Sequence, residues 1–190
     1  KKMIDTGVTG IAYETVTADD GSMPLLAPMS TIAGQLAFFV GSYHLLKHNN
    51  GKGVMIGKLE DIDPRVVSVI GAGVAGTQSI AKALENHAHV KVVDSSQQKL
   101  ESLKSQFGTN NIEYILSNEE SIQASINDSD LVIGSVYVVG KEAPRVVTRE
   151  MLTSMSPGTV MVDVSIDQGG CFESSRPTTH DKPTFVENDI

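Results

Sequence analysis

Gly71, Gly73 and Gly76 stand in the spacing G-x-G-x-x-G directly behind the apolar run Val66-Val67-Ser68-Val69-Ile70, and Asp94 closes a second run, His89-Val90-Lys91-Val92-Val93. The chemistry this pattern can do is to hold a diphosphate and a ribose. Gly71 permits a tight turn out of the strand, Gly73 leaves room for a pyrophosphate to approach the backbone, and Gly76 lets the following helix pack close to the strand. The N–H groups of Gly71, Ala72, Gly73, Val74, Ala75 and Gly76 then face the phosphates, with the positive end of a helix dipole behind them. Asp94 lies at the roughly 20-residue offset at which an acid accepts from a ribose hydroxyl. The glycine spacing alone is a weak signal, but with both strands, the helix and the acid it predicts a dinucleotide site. Two other readings of the same residues stay open: a glycine-rich turn that binds nothing, and a site for an adenine-type ligand other than NAD.

A second chemical candidate is Asp167, beside Gly169-Gly170 and just beyond a predicted strand over 159–165. In an open α/β sheet, ligands bind beyond the carboxyl ends of the strands, where the strand order switches. An adenosine ribose belongs near the second strand and a nicotinamide near the fourth and fifth. Asp167 can therefore meet the nicotinamide end or a substrate amine; equally, it can be a turn residue bonded to its own backbone. The five histidines have no metal-ligand spacing, since His44 and His48, four apart, find no third ligand, so no metal is expected. His87 and His89 read as surface residues and His180 as a loop residue. Cys171 has no base assigned to it by the sequence and reads as a structural thiol. Met151 and Met155 read as core.

These residues need elements to position them. Strands are predicted over 66–70, 89–94, 112–117, 130–136 and 159–165, and helices over 74–86, 97–107, 119–127 and 148–155, the last capped by Thr148. Repeating βα units of this length imply a parallel sheet with helices on both faces, in the order 3-2-1-4-5. Upstream, residues 10–14 read as a short strand. A helix is predicted over 30–48, capped by Ser30, with Ile32, Leu36, Phe39, Tyr43 and Leu46 at three- and four-residue steps. Several of its other positions, Ala33, Ala37, Phe38 and Val40, are also apolar, the mark of a helix covered between domains or subunits. The expected fold class is α/β, a doubly wound parallel sheet of Rossmann type with part of a second, substrate domain. The expected division is 1–29 as a remnant of that domain, 30–170 as the nucleotide domain with its leading helix, and 171–190 as the start of the return.

With 190 residues, 40% hydrophobic and 20% charged, the chain can bury a globular core. A net charge of −8 argues against a nucleic acid or an anionic membrane as partner, because both require clustered Lys and Arg. The single cysteine excludes an intrachain disulfide and suits a reducing, cytoplasmic setting. No apolar run reaches the 18 residues of a membrane span, and no signal peptide is expected at the start.

Five stretches together resemble bacterial alanine dehydrogenase. They are Gly7-Val8-Thr9-Gly10-Ile11-Ala12-Tyr13-Glu14-Thr15, Pro24-Leu25-Leu26-Ala27-Pro28-Met29-Ser30, the Gly71–Gly76 turn, Ile166-Asp167-Gln168-Gly169-Gly170-Cys171 and Arg176-Pro177-Thr178-Thr179-His180. The likeness runs along the whole chain in order, and the stretch through Cys171 followed by Arg176–His180 is far more specific than a glycine fingerprint. The resemblance implies NAD as cofactor and reversible oxidative deamination of L-alanine to pyruvate and ammonium. It also implies a two-domain subunit, usually in a homo-hexamer. It places Ser30 near the cofactor's phosphate and nicotinamide end, Asp94 and Lys99 at the adenosine ribose, Ser117 near the adenine, and Val136 as a backbone contact by the nicotinamide. It makes Asp167 an active-site aspartate beside nicotinamide and substrate. The family's substrate-binding arginine and lysine and its catalytic histidine lie in an N-terminal segment, so these residues are expected to be roughly half of a full-length member, carrying the cofactor domain. Two alternatives remain: the NAD(H)-binding part of a proton-translocating transhydrogenase, and a non-catalytic NAD-binding module. Asp167-Gln168-Gly169-Gly170 favours the dehydrogenase.

Overall fold

The computed structural model describes residues 2–138 and 141–190. Its centre is β1 (Val66–Ile70), which pairs in parallel with β2 (His89–Asp94) on one side and β4 (Leu131–Gly134) on the other. β3 (Ile112–Leu116) and β5 (Val160–Asp163) complete a five-stranded parallel sheet in the order β3-β2-β1-β4-β5. A strand covered on both faces must be apolar throughout, and Val67, Ser68 and Val69 are all fully buried. Ser68 is tolerated because its hydroxyl donates to the Ser125 carbonyl and lies 2.8 Å from Ser129 Oγ.

The crossovers are α3 (Val74–Glu85), α4 (Gln97–Phe107) and α5 (Glu119–Asn127). Ile80 and Ala83 of α3 and Leu100 and Leu103 of α4 pack with Val67, Val90 and Leu131 on one face. Ile122 and Ile126 of α5 pack with Val93, Val132, Met151, Leu152 and Phe172 on the other. Each wholly buried Ile, Leu or Phe contributes about 1.5–3 kcal/mol to this arrangement. Side chains cap two of the helices: Ser96 accepts from Lys99 N at 3.3 Å, and Asn118 and Ser121 form a reciprocal capping box. The N-cap of α3 is Gly73, which has no side chain to offer.

The N-terminal region departs from the sequence-based expectation. No strand forms over 10–14; Tyr13–Thr15 is a single exposed 3-10 turn with no neighbouring strand to pair with. A four-residue helix α1 (Lys2–Asp5) precedes it. The long helix α2 runs over Ala27–His44 rather than 30–48. Its N-cap is Leu26, so Ser30 sits inside the helix; Pro28 suits the first turn, where its missing N–H costs nothing, and brings the start forward. At the other end Leu46 is extended and Lys47–Asn49 is a separate 3-10 turn.

The helix also turns a different face to the core. Ile32, Leu36, Phe39 and Tyr43 are exposed by 51–61% of their surface, while Gly34, Ala37, Phe38 and Gly41 are buried. Close backbone approach decides this: a Cβ at Gly34 would run into the Ala75 carbonyl of α3, and Ser79 Oγ donates to the Gly34 carbonyl at 2.7 Å. With no Asp, Glu, Lys or Arg in α2, the outward face is a continuous apolar stripe.

Two strands end earlier than predicted, 130–136 at Gly134 and 159–165 at Asp163, because the ladder closes at the pairs Ile70 with Gly134 and Gly134 with Asp163. Over 148–155 there is no α-helix. Only Met151–Ser154 forms a 3-10 turn, with Met151 N donating to Thr148 Oγ1, before Met155 becomes extended ahead of Pro157. Met151, Leu152 and Met155 are core nonetheless.

Candidate dinucleotide site

The carboxyl ends of β1, β2, β4 and β5 meet at one edge of the sheet. Gly71 leaves β1 with φ +94°, and a Cβ there would lie 2.7 Å from the Ser135 carbonyl oxygen. A Cβ at Gly76 would run into the Gly71 carbonyl and lie 2.7 Å from Ser135 Oγ, so β1, α3 and the end of β4 are in tight register. Ser135 Oγ donates to the Gly71 carbonyl at 2.7 Å and ties β4 to the turn. Gly73 is different: its φ of −71° suits any residue, and nothing lies within 4 Å of a Cβ built there. A cavity of about 420 Å³, lined by Ala72, Gly73, Val74, Thr77, Gln78 and Lys99, opens at this point. The open space sits on the N-terminal end of a 12-residue helix whose first turn lacks a side-chain cap, an arrangement with the polarity and room for a diphosphate.

Asp94 is only 8% exposed. Its Oδ2 accepts from Ala72 N at 2.7 Å and its Oδ1 from Ser96 N at 2.8 Å, with Lys99 Nζ 3.8 Å from Oδ2. The acid at the tip of β2 thus clamps the glycine turn itself, a role not visible in its sequence offset. Ser117 N donates to the Asp94 carbonyl at 3.0 Å, which puts Ser117 beside the β2 tip. Ser30 lies one turn of α2 before Gly34, the residue that packs on Ala75 next to Val74. The Val136 carbonyl accepts from Ser165 Oγ at 2.7 Å, joining the β4 tip to the segment after β5.

That segment turns through a 3-10 helix, Ile166–Gln168, and two glycines with φ +92° and +82°, Gly169 and Gly170. Asp167 stands on this turn, exposed, and its side chain makes no hydrogen bond or ion pair among the described residues. Sequence reasoning missed the residue beneath it. Asp163, the last residue of β5, accepts from Ser165 N at 2.9 Å, Cys171 N at 2.8 Å, Phe172 N at 3.2 Å and Ser175 Oγ at 2.5 Å, with Cys171 Sγ 3.4 Å away. The signal was available, since an acid ends the apolar run Val160-Met161-Val162 just as Asp94 ends its own. Burial, and then the Asp163 charge, push the Cys171 thiol well above its ordinary range, so it stays protonated and un-nucleophilic. His180 is an exposed residue of the Thr179–Lys182 turn.

Among the described residues, no three or more His, Cys, Asp or Glu side chains gather as metal ligands. No helix among the described residues is long and apolar enough to cross a membrane. A second cavity, about 770 Å³, runs along the outer edge of β5 between the end of α2 and residues 183–190, away from the glycine turn.

A parallel sheet in this order, with a glycine turn, an uncapped helix N-terminus and an acid at the next strand tip, defines a nucleotide-binding domain of Rossmann type. Residues 37–190 match the family described as "Alanine dehydrogenase/PNT, C-terminal domain", and the chain belongs to that family. It is 44% identical over 190 residues to an alanine dehydrogenase of Halomonas elongata, covering all of this chain and 51% of that protein. It is 46% identical over 187 residues to one of Mycobacterium tuberculosis, covering 98% and 50%. Among solved structures, an L-alanine dehydrogenase superposes with a TM-score of 0.92 at 38% identity, over 99% of this chain and 52% of that one. A transhydrogenase from Sinorhizobium meliloti does so with 0.76 at 28%, over 92% and 51%. The chain spans about half the length of the curated relatives it matches.

Proposed function

We propose that these residues are the NAD-binding domain of an alanine dehydrogenase that converts L-alanine to pyruvate and ammonium, and the reverse. The observation that carries this reading is the identity of 44–46% to proteins of that name along essentially the whole chain. The reading assigns the pyrophosphate to the Gly71–Gly76 turn, through the N–H groups of Gly73, Val74, Ala75 and Gly76, because Gly71 N and Ala72 N already donate to the Val93 carbonyl and Asp94. It assigns the adenosine ribose to Asp94 and Lys99, the adenine side to Ser117, and the nicotinamide end to Ser30 and Val136. Bound NAD supplies the hydride acceptor; the chain supplies placement and charge. Asp167, whose carboxylate has no partner among the described residues, would stand beside the substrate's amino group and favour the positive charge that develops there as the α-carbon is oxidised. Substrate binding and proton transfer fall to an N-terminal catalytic domain.

The same reading divides the chain into a substrate-domain remnant over 1–29, the cofactor domain over 30–170 and a return over 171–190, and it makes the protein a cytoplasmic homo-hexamer. The exposed apolar stripe of α2 supports a helix covered between domains or subunits. The relation to a transhydrogenase, at lower identity, keeps hydride exchange between nucleotides as the second reading. The test is the appearance of NADH absorbance on adding L-alanine and NAD to the protein expressed from its complete reading frame. Alanine-dependent NADH formation supports the proposal. Hydride transfer between two nucleotides without alanine turnover moves the assignment to the transhydrogenase, and NAD binding with neither reaction leaves a non-catalytic module.

A further inference from the structure

Asp167 has no side-chain partner among the described residues, so only its backbone can place it. That backbone is a loop, 164–175, that begins at the end of β5 and folds back over it. Its internal backbone hydrogen bonds are few and short in range: Gln168 N and Gly170 N to the Ser165 carbonyl, Gly169 N to the Ile166 carbonyl, and Ser175 N to the Phe172 carbonyl. Both glycines after Gln168 are in the left-handed region, where the chain has little conformational preference of its own.

The 143–147 segment holds the loop from outside, through Ala143 N to the Gln168 carbonyl, Val146 N to the Cys171 carbonyl and Glu173 N to the Val147 carbonyl, but what joins its two arms to each other is one carboxylate. Asp163 Oδ1 accepts from Ser165 N, on the outgoing arm, and lies within reach of Cys171 Sγ. Oδ2 accepts from Cys171 N, Phe172 N and Ser175 Oγ, all on the returning arm. The loop is drawn so tightly round this group that a Cβ on Gly170 would come within 2.9 Å of Oδ2. Ser165, the residue held on the outgoing side, also donates to the Val136 carbonyl, so the carboxylate fixes the loop relative to the tip of β4 as well.

We propose that Asp163 is the positioning residue of this site: tied to both arms of the 164–175 loop, its carboxylate sets where Asp167 stands. This rests on the dehydrogenase reading above, in which Asp167 acts on the substrate. An ionised carboxylate presents only acceptors, as five converging donors require, whereas either orientation of an asparagine amide would turn its NH2 group toward at least two of them.

Two measurements test this. In the full-length protein, Asp163→Asn is expected to lower kcat with alanine by roughly 100-fold, the effect of displacing a reacting group by about 1 Å, while the dissociation constant for NAD moves less than about threefold. Introduced into an Asp167→Asn background, the same change should cost little further activity, because residues that act through one another are not additive. An equal loss in both backgrounds, or normal kcat in Asp163→Asn, would overturn the proposal. The second measurement needs no activity and no variant: hydrogen exchange in the full-length protein, where the Cys171 and Phe172 amides should be strongly protected. Free exchange at both would remove the clamp whatever the protein catalyses, whereas protected amides in a protein that does not oxidise alanine would count against the dehydrogenase reading alone.

Discussion

Gly73→Val separates the phosphate cradle from the stability of the fold. Valine readily adopts the φ of −71° found at Gly73, and no atom lies within 4 Å of the added Cβ, so the native packing does not resist the change. The cost to folding is the poorer N-cap, about 1 kcal/mol, or about 2–4 °C in Tm for a domain of this size. The cost to binding is larger. Two methyls would fill the space over the first turn of α3 and hold a diphosphate off the N–H groups. Losing two hydrogen bonds to a charged group at about 1.5–3 kcal/mol each gives about 3–6 kcal/mol, a weakening of at least about 100-fold. The check is a calorimetric titration with NAD beside a thermal melt of the same sample. Gly76→Ala is the control with the opposite signature, because its Cβ would run into the Gly71 carbonyl and the fold itself should weaken. A Gly73→Val protein that melts normally and binds NAD with the parent's affinity would show that the phosphates lie elsewhere.

Two further outcomes follow from the strand tips. The Asp94 carboxylate should disfavour a 2′-phosphate by on the order of 1 kcal/mol or more, so NAD is expected to bind more tightly than NADP, and Asp94→Ser should narrow the gap. Because Asp94 also holds Ala72 N, that variant should weaken NAD as well; equal dissociation constants for the two nucleotides in the parent, by calorimetry, would refute the assignment. In the full-length protein, Asp167→Asn should lower kcat at least about 100-fold with little change in NAD affinity, while the 190 residues alone bind NAD without oxidising alanine. Near-normal kcat in the variant, read by steady-state kinetics, would reduce Asp167 to a turn residue.

The parallel sheet, its order and the glycine turn were legible because they rest on local signals: apolar runs with no polar face, glycines at fixed steps, an acid after a strand. The face of α2 was not. Ile32, Leu36, Phe39 and Tyr43 carry the stronger hydrophobic period, but Gly34 and Gly41 permit a closer approach of backbones, and only the neighbouring helix reveals that this contact wins. Asp163 was missed for a related reason. An acid ending an apolar run marks the position, but four of its five donors come from residues 8–12 positions away on a loop without periodicity, so the sequence does not show what the acid holds. Asp94 was found by its offset, yet its bond to the turn 22 residues earlier needed the fold.

The central place of β1 has a kinetic consequence. The turn that leaves it is held from two sides, by Asp94 across a separation of 22 residues and by Ser135 across 64. Closing the longer loop costs about 1 kcal/mol more chain entropy than closing the shorter one. The β1-α3-β2 unit can therefore assemble first with its glycine turn braced on one side only, and the second brace arrives when β4 docks. Competence to hold a nucleotide is then a late event of folding. In stopped-flow refolding, nucleotide binding should lag behind the far-UV signal, and a simultaneous rise of the two would contradict that order.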